Sequence, residues 1–236
     1  MRSRLTVLAA GILAVLAGTR STTAQNQKET PWLKSFSVDP RDLSTVGENP
    51  YFILTPGFQL TLEGKEGTST MRLVITVLNE TKTVGGIETR VVEERELKDG
   101  APIEVSRNYF AINTKTKDVY YFGEEVDMYK KGKITGHEGA WLHGSRGAAF
   151  GLMMPGTPVV GLRHFQEMAP EVAMDRAEVV SVTERFQNTL FKFEGCLKTR
   201  ETTLLEMFAK EYKLYAPGVG LVREGSMELV AYGPSK

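Results

Sequence analysis

Residues 71–78 read Met-Arg-Leu-Val-Ile-Thr-Val-Leu, and every second side chain, beginning with Met71, is apolar. Successive side chains of a β-strand point to opposite faces, so this pattern predicts a strand with one fully apolar face. Val84-Gly-Gly-Ile follows and is typical of a tight hairpin turn. A second strand is predicted at residues 89–97, before the turn Lys98-Asp-Gly. Together the two segments predict an antiparallel strand pair.

The same pattern of short strands and polar or glycine-rich turns continues along the chain. Turn signals recur about every 10 to 15 residues, which is typical of a meander, barrel or sandwich rather than of βαβ units. No segment of useful length has the apolar period of a helix. The sequence therefore predicts an all-β fold, an antiparallel meander curled into a half-barrel or barrel with little helix. Further strands are predicted at residues 103–112, 119–123, 160–167, 173–184, 189–202 and 211–216, with a closing pair around 221–223 and 228–232.

Residues 139–158 interrupt this pattern with five glycines and two prolines. That composition argues against a regular element, whereas apolar residues such as Trp141 and Phe150 argue against disorder. Long ordered loops in compact domains are usually functional. We therefore expect one long glycine-rich loop that covers one end of the sheet.

The amino-terminal 24 residues have the pattern of a cleavable signal peptide. Arg2 and Arg4 precede an uncharged apolar run at residues 5–18, and Thr22 and Ala24 are small residues before a cut at Gln25. The run is too short to span a bilayer easily, although an uncut anchor is the alternative. We expect a periplasmic or extracellular protein with an irregular lead-in at residues 25–50 and one β-rich domain at 51–236.

The charge balance argues against a nucleic-acid partner, and the single cysteine excludes an internal disulfide. Cleavage would remove three of the 29 basic residues and no acid, leaving 26 against 29 acidic residues, so no basic excess indicates a nucleic-acid partner. No second apolar stretch is long enough to cross a membrane as a helix. Cys196 has no partner for an internal disulfide. It is expected to be an inert strand residue, with a reactive thiol as the alternative.

The carboxyl-terminal part resembles a known type of domain. Residues 215–223 read Tyr-Ala-Pro-Gly-Val-Gly-Leu-Val-Arg, and residues 193–199 read Phe-Glu-Gly-Cys-Leu-Lys-Thr. These segments resemble the last strands of secreted all-β domains of unknown function, which are similar to the half-barrel fold of lipoprotein carriers. The resemblance begins only at residue 193, and it implies a sheet curled around an apolar interior without implying a function.

Metal binding and catalysis have little support in the sequence. His137 and His143 are six residues apart, unlike the one-turn spacing of zinc-protease histidines. His164 lies near several methionines, but no histidine follows Cys196 as a blue-copper site would need. Acidic groups at residues 93–96, 124–127 and 175–178 suggest calcium or, alternatively, a salt-bridged surface. No catalytic motif is present, and we predict no cofactor; a hydrolase whose site is assembled across strands is the third alternative.

The aromatic residues of the predicted strands and of the glycine-rich segment suggest a ligand-binding site. A curled sheet offers a concave apolar interior, the usual setting for a small ligand, although plain core packing would use the same residues. We predict a binding or carrier protein for an apolar or amphipathic ligand; the alternative is a structural or interaction protein of the envelope, with an unknown protein partner and stabilised by calcium. The predicted ligand-binding residues are Tyr109, Tyr121, Trp141, Arg163, Gln166 and Glu167.

Overall fold

A computed structural model describes residues 30–235, and the predicted signal peptide at residues 1–24 lies outside this range. The fold is all-β, with 66% of residues in strands and 1% in helix, as predicted. The helical part is one 3-10 turn at Pro40–Asp42. The strands are β1 (Leu43–Ser44), β2 (Gly47–Asn49), β3 (Phe52–Leu54), β4 (Phe58–Glu66), β5 (Ser69–Val84), β6 (Ile87–Lys98), β7 (Ala101–Asn113), β8 (Val119–Lys130), β9 (Lys133–Gly136), β10 (Trp141–Leu142), β11 (Ala149–Met154), β12 (Arg163–Phe165), β13 (Glu167–Met168), β14 (Asp175–Gln187), β15 (Lys192–Thr203), β16 (Lys210–Ala216), β17 (Gly220–Glu224) and β18 (Met227–Pro234).

One large antiparallel sheet forms a nearly closed barrel with a single seam. Its strand order is β12-β14-β15-β16-β17-β18-β4-β5-β6-β7-β8-β11-β13. The two terminal strands of this order are adjacent in sequence, since only Gln166 separates them. Residues 163–168 thus pair with β14 through their first half and with β11 through their second half.

The seam is also bridged by the lead-in. The Leu33 amide donates to the Arg163 carbonyl at 2.9 Å, and the Phe165 amide donates to the Leu33 carbonyl at 3.0 Å. These bonds satisfy the edge of β12 that faces away from β14. A segment predicted to be irregular therefore supplies backbone hydrogen bonds to the edge of the sheet, where unpaired groups would otherwise remain.

A small hairpin of β2 and β3 closes one end of the barrel. The Asn49 side chain donates to the Lys117 carbonyl at 2.8 Å and to the Pro155 carbonyl at 3.0 Å. On the other side of the hairpin, the Tyr51 hydroxyl donates to the Gly195 carbonyl at 3.0 Å. The hairpin thus contacts turns from well-separated parts of the sheet, and its Leu54 is fully buried. The hairpin crosses the predicted border between the lead-in at residues 25–50 and the β-rich domain at residues 51–236.

The second half of β7 and the first half of β8 are buried on both faces. Phe110 and Tyr121 belong to the cluster inside the barrel, whereas Tyr109 and Phe122 belong to a second cluster outside it. The lead-in covers this outer cluster with Phe36 and other apolar side chains. Burial on both faces explains why residues 109–112 and 119–122 are uninterrupted runs of apolar and aromatic residues.

The glycine-rich segment at residues 139–158 is only partly a loop. β10 and β11 both lie within it, and both pair with β8. The prediction of a wholly irregular segment is wrong because Gly151 sits inside β11, where its missing side chain permits a close backbone approach. The strand predicted at residues 160–167 is also shorter, since residues 159–162 form a turn before β12.

No helix in residues 30–235 is both long and apolar enough to cross a membrane.

Substitution of Gly151 tests how closely the backbones pack at the seam. A Cβ at this position would lie 2.3 Å from the Gln166 carbonyl oxygen and 2.6 Å from that of Phe165. Because both contacts are with backbone, we expect Gly151→Ala to lower the free energy of unfolding by roughly 2 kcal/mol or more. Urea denaturation measures this loss.

The matched control is Gly67→Ala in an exposed turn, where a Cβ would meet nothing within 4 Å. Its left-handed backbone, with φ of 60°, should limit the loss to about 1 kcal/mol. If Gly151→Ala were no more destabilising than Gly67→Ala, the seam would not be closely packed at this point.

Candidate functional site

The larger pocket lies between the 140–148 segment and the turn at residues 169–172, and its volume is about 260 Å³. We call it the Trp141 pocket. Its lining is mostly apolar and includes two carboxylates and one guanidinium group. The lining residues are Glu124, Glu125, Ala140, Trp141, Leu142, Ser145, Arg146, Ala148, Ala169, Pro170 and Val172.

The Trp141 ring is fixed by contacts from two sides. Its indole N–H donates to the Glu167 carboxylate at 2.7 Å. The Tyr121 ring packs edge-on against it, with the ring centroids 5.4 Å apart. The Tyr121 hydroxyl in turn donates to the Asn108 side-chain oxygen at 2.6 Å. Trp141 therefore presents a positioned aromatic surface to the pocket rather than a mobile one.

Two consecutive glutamates of β8 border the Trp141 pocket. Glu124 is almost fully buried and lies opposite Trp141 in the pairing of β8 with β10. Glu125 hydrogen-bonds to the Lys82 ammonium group, which lowers the pKa of this carboxyl. Arg146 also borders the pocket, from a turn in which its backbone has a left-handed φ of 49°. The arrangement combines an apolar floor with charged groups at its sides.

A second, smaller cavity of about 70 Å³ lies inside the barrel against the β2–β3 hairpin. Apolar side chains of the hairpin and of the barrel wall form most of its surface. The charged or polar residues of the lining are Tyr51, Glu94, Lys213, Tyr215 and Glu224. We call it the interior cavity.

The charged side of the interior cavity continues into a buried network around Lys213. The Lys213 ammonium lies 2.8 Å from Glu224 and 3.3 Å from Glu201. Glu201 also accepts hydrogen bonds from the Tyr215 hydroxyl at 3.3 Å and from Thr199 at 3.2 Å. Burial lowers the pKa of Lys213, but the facing carboxylates outweigh it and hold the pKa well above its usual value. Lys213 is therefore a charged ammonium that is needed to compensate its acidic neighbours.

Glu211 lies beside this network. Among the salt bridges of residues 30–235, none within 4 Å involves Glu211. Burial raises the pKa of Glu211 to about 7; Lys213 opposes the shift, and Glu224 and Glu201 add to it. One carboxyl in the network therefore changes its charge near neutral pH.

Three of the six predicted ligand-binding residues come together. Tyr121, Trp141 and Glu167 form the contacts described above, although Trp141 alone lines the pocket. Gln166 lies on the seam, and its amide donates to Glu201 at 3.4 Å. It therefore belongs to the Lys213 network.

The other two predicted residues lie elsewhere. Tyr109 is in the outer cluster, where the Lys82 ammonium lies 4.8 Å from its ring centroid. Tyr109 and Tyr121 are separated because side chains alternate between the two faces of each strand. Arg163 pairs with Glu178 at 3.2 Å and stacks on Trp32 at 5.5 Å.

Several residues of both cavities carry no clear signal in the sequence. The sequence marks Glu124 only as one member of an acidic group, and it does not mark Val172. Part of the Lys213 network is visible in the sequence. Glu211, Lys213 and Tyr215 are every second residue of a predicted strand, so their side chains share one face. The partners Glu201 and Glu224 come from neighbouring strands, and that pairing required the three-dimensional fold.

The histidines and the acidic groups do not assemble a metal site. Within residues 30–235, no group of three or more His, Cys, Asp or Glu side chains could hold a metal ion. His137 contacts Asp127 at 3.0 Å, and His143 packs edge-on against Phe150. His164 is almost fully buried. The calcium and transition-metal alternatives therefore gain no support from the described part of the chain.

Cys196 is fully buried inside the barrel. Burial raises the pKa of its thiol, which disfavours the nucleophilic thiolate. This environment suits the expected role as an inert strand residue.

Comparisons with known proteins found no relative. No family model matches the chain, and neither the curated proteins nor the solved structures include a significant match. The resemblance of the carboxyl-terminal part to secreted half-barrel domains thus stays a prediction.

His164 generates a prediction about acid stability. Burial lowers its pKa to about 4, whereas a histidine in the unfolded chain takes up its proton near the usual value of 6.5. Between these values the native state binds fewer protons, so stability falls as the pH drops through this window. We expect His164 to contribute up to about 3 kcal/mol to this loss.

His164→Leu removes this titration, so its free energy of unfolding should fall less than that of the parent between about pH 7 and pH 4. Urea denaturation at a series of pH values measures the difference. His137→Leu, at a side chain that is 67% exposed, is the control for replacing an imidazole by an isobutyl side chain at the surface. A parental pH profile in His164→Leu would contradict a neutral buried imidazole.

Glu211 generates the opposite prediction. Its pKa is raised in the folded state, so the stability it contributes is present in acid and is lost as the pH rises through about 7. Glu211→Gln should therefore retain more of its stability between about pH 5 and pH 8 than the parent does. Glu63→Gln, at a strand position whose side chain is 42% exposed, is the control. Equal pH profiles for Glu211→Gln and the parent would show that Glu211 ionises normally.

Proposed function

We propose that this protein binds a small amphipathic molecule in the Trp141 pocket and that it does so as an exported protein. The observation that carries the proposal is an aromatic floor, fixed by hydrogen bonds, beneath a concave space of about 260 Å³. Small-molecule sites usually have volumes of about 300 to 1,000 Å³, and the Trp141 pocket approaches the lower end of that range. The interior cavity, at about 70 Å³, is far smaller.

The composition of the lining supports an amphipathic ligand. Trp141, Ala148 and Ala169 are each less than 10% exposed, so the floor is made of well-packed apolar groups. Such a floor favours a planar or aliphatic part of the ligand through burial of apolar surface.

The charged wall adds selectivity. Glu124, Glu125 and Arg146 all border the pocket, so two acidic residues stand against one basic residue. Carboxylates accept hydrogen bonds and favour positive charge. The ligand we propose therefore carries hydrogen-bond donors or an amine beside its apolar part.

Export is supported by the signal-like pattern of residues 1–24 alone. A binding protein outside the cytoplasm would meet its ligand directly in the medium or the envelope. Native mass spectrometry of the protein isolated from its own compartment would then detect a retained adduct of small-molecule size.

The pocket itself is tested with Nile red, an uncharged fluorescent dye with a planar apolar body. Val172 lines the pocket and is 40% exposed, so Val172→Trp should obstruct the pocket without disturbing the core. We expect Val172→Trp to weaken Nile red binding by about tenfold or more in a fluorescence titration.

Val160→Trp is the matched control, because Val160 is 64% exposed and lines neither cavity. It should bind the dye like the parent. Unchanged binding in Val172→Trp, or no binding by the parent, would refute the Trp141 pocket as the site.

A further inference from the structure

The connection between β15 and β16 exposes an unusual set of apolar side chains. Met207 is 87% exposed and Phe208 is 89% exposed, more than any other large hydrophobic residue in the described part of the chain. Leu204 and Leu205 precede them at 51% and 38% exposure. We call residues 204–209 the apolar tip. Four large apolar side chains within one turn are unfavourable in water unless something covers them.

The apolar tip is an ordered turn. The Leu205 amide donates to the Thr203 hydroxyl at 3.3 Å, and the Ala209 amide donates to the Glu206 carbonyl at 3.2 Å. Ala209 is 5% exposed, so it anchors the end of the turn in the protein. The turn therefore presents Met207 and Phe208 outward from a fixed base.

The tip lies at the end of the barrel opposite the β2–β3 hairpin. Antiparallel pairing places it beside the β17–β18 turn, whereas the hairpin contacts the other ends of these strands near Gly195 and Gly218. The Leu204 amide also donates to the Met174 carbonyl at 3.3 Å. Met174 follows the turn at residues 169–172 that forms one wall of the Trp141 pocket. The tip and the pocket are therefore neighbours.

We propose that the apolar tip inserts into the interfacial region of a lipid bilayer and docks the protein there. A stable protein partner usually buries about 800 Å² on each side, with roughly 20 to 30 residues. The tip offers four apolar side chains on a convex turn, which is too little for such an interface. A bilayer needs no matching concave surface, because its acyl region accepts apolar side chains of any shape.

The charges near the tip favour a neutral lipid surface. Glu206 lies within the turn and Lys210 directly follows it, so their formal charges cancel. Behind the tip, the 43% exposed Tyr212 ring lies 5.1 Å from the Lys198 ammonium group. Tyrosine and lysine side chains are well suited to the headgroup level of a bilayer. The tip should therefore bind phosphatidylcholine vesicles without requiring anionic lipid.

The inference goes beyond ligand binding and can fail independently of it, because the tip residues do not line the Trp141 pocket. Its test is co-sedimentation of the mature protein with phosphatidylcholine vesicles. The double variant Met207→Ser with Phe208→Ser removes the two most exposed side chains. We expect this variant to bind the vesicles at least about tenfold more weakly than the parent.

The matched control is Val159→Ser with Val160→Ser, whose side chains are 56% and 64% exposed in a different turn. It should bind vesicles like the parent. Both double variants alter exposed positions, so unchanged urea denaturation confirms that their folds are intact.

Three results would overturn the inference. The parent could fail to sediment with the vesicles, or the tip variant could sediment as well as the parent. The parent could also bind only vesicles that contain anionic phosphatidylglycerol, which would assign the binding to charge rather than to the tip. Nile red binding in the absence of vesicles reports separately on the Trp141 pocket.

Discussion

Closure of the sheet at residues 163–168 is the constraint on which the rest of the molecule depends. The first half of this segment pairs with β14, and its second half pairs with β11. This arrangement leaves the two terminal strands of the sheet continuous in sequence, so the barrel opens only when the pairing with β14 or the pairing with β11 is broken. Closure also fixes what lies inside, because side chains alternate between the two faces of each strand. The Trp141 pocket and the Lys213 network both use residues of this segment or of the turn that follows it.

The barrel interior is not uniformly apolar. Near the β2–β3 hairpin it is filled by aliphatic and aromatic side chains, whereas farther along the strands Lys213 lies among carboxylates. Burying charges is unfavourable unless they are paired and hydrogen-bonded, and Glu201 meets this condition with several donors. Such a network contributes less to stability than an apolar core of equal volume would. Its presence inside a protein with ample apolar residues indicates that the interior is not shaped for stability alone.

The fold class could be predicted because alternation and turn residues are local signals. The strand predicted at residues 71–78 lies within β5. The glycine turn predicted after Val84 joins β5 to β6. The glycine-rich segment misled the prediction because Gly151 is required by the neighbouring backbone of Phe165 and Gln166, and that contact forms only when the sheet closes. The candidate site was predictable only at Trp141 and its contacts Tyr121 and Glu167. Whether an aromatic strand residue such as Tyr109 faces inward depends on what covers the outer face, and here the lead-in covers it.

The pairing of β4 with β18 has a consequence for how the protein acquires its structure. β4 begins at Phe58 and β18 ends at Pro234, so the meander is joined by residues from nearly opposite ends of the chain. Such non-local pairing carries a large loop-closure entropy and slows folding. A chain that emerges from a ribosome or a translocation pore in order cannot complete the barrel until its final strand has emerged. Until then β4 has an open edge, and chaperones or the speed of chain release decide whether that edge meets β18 or another molecule.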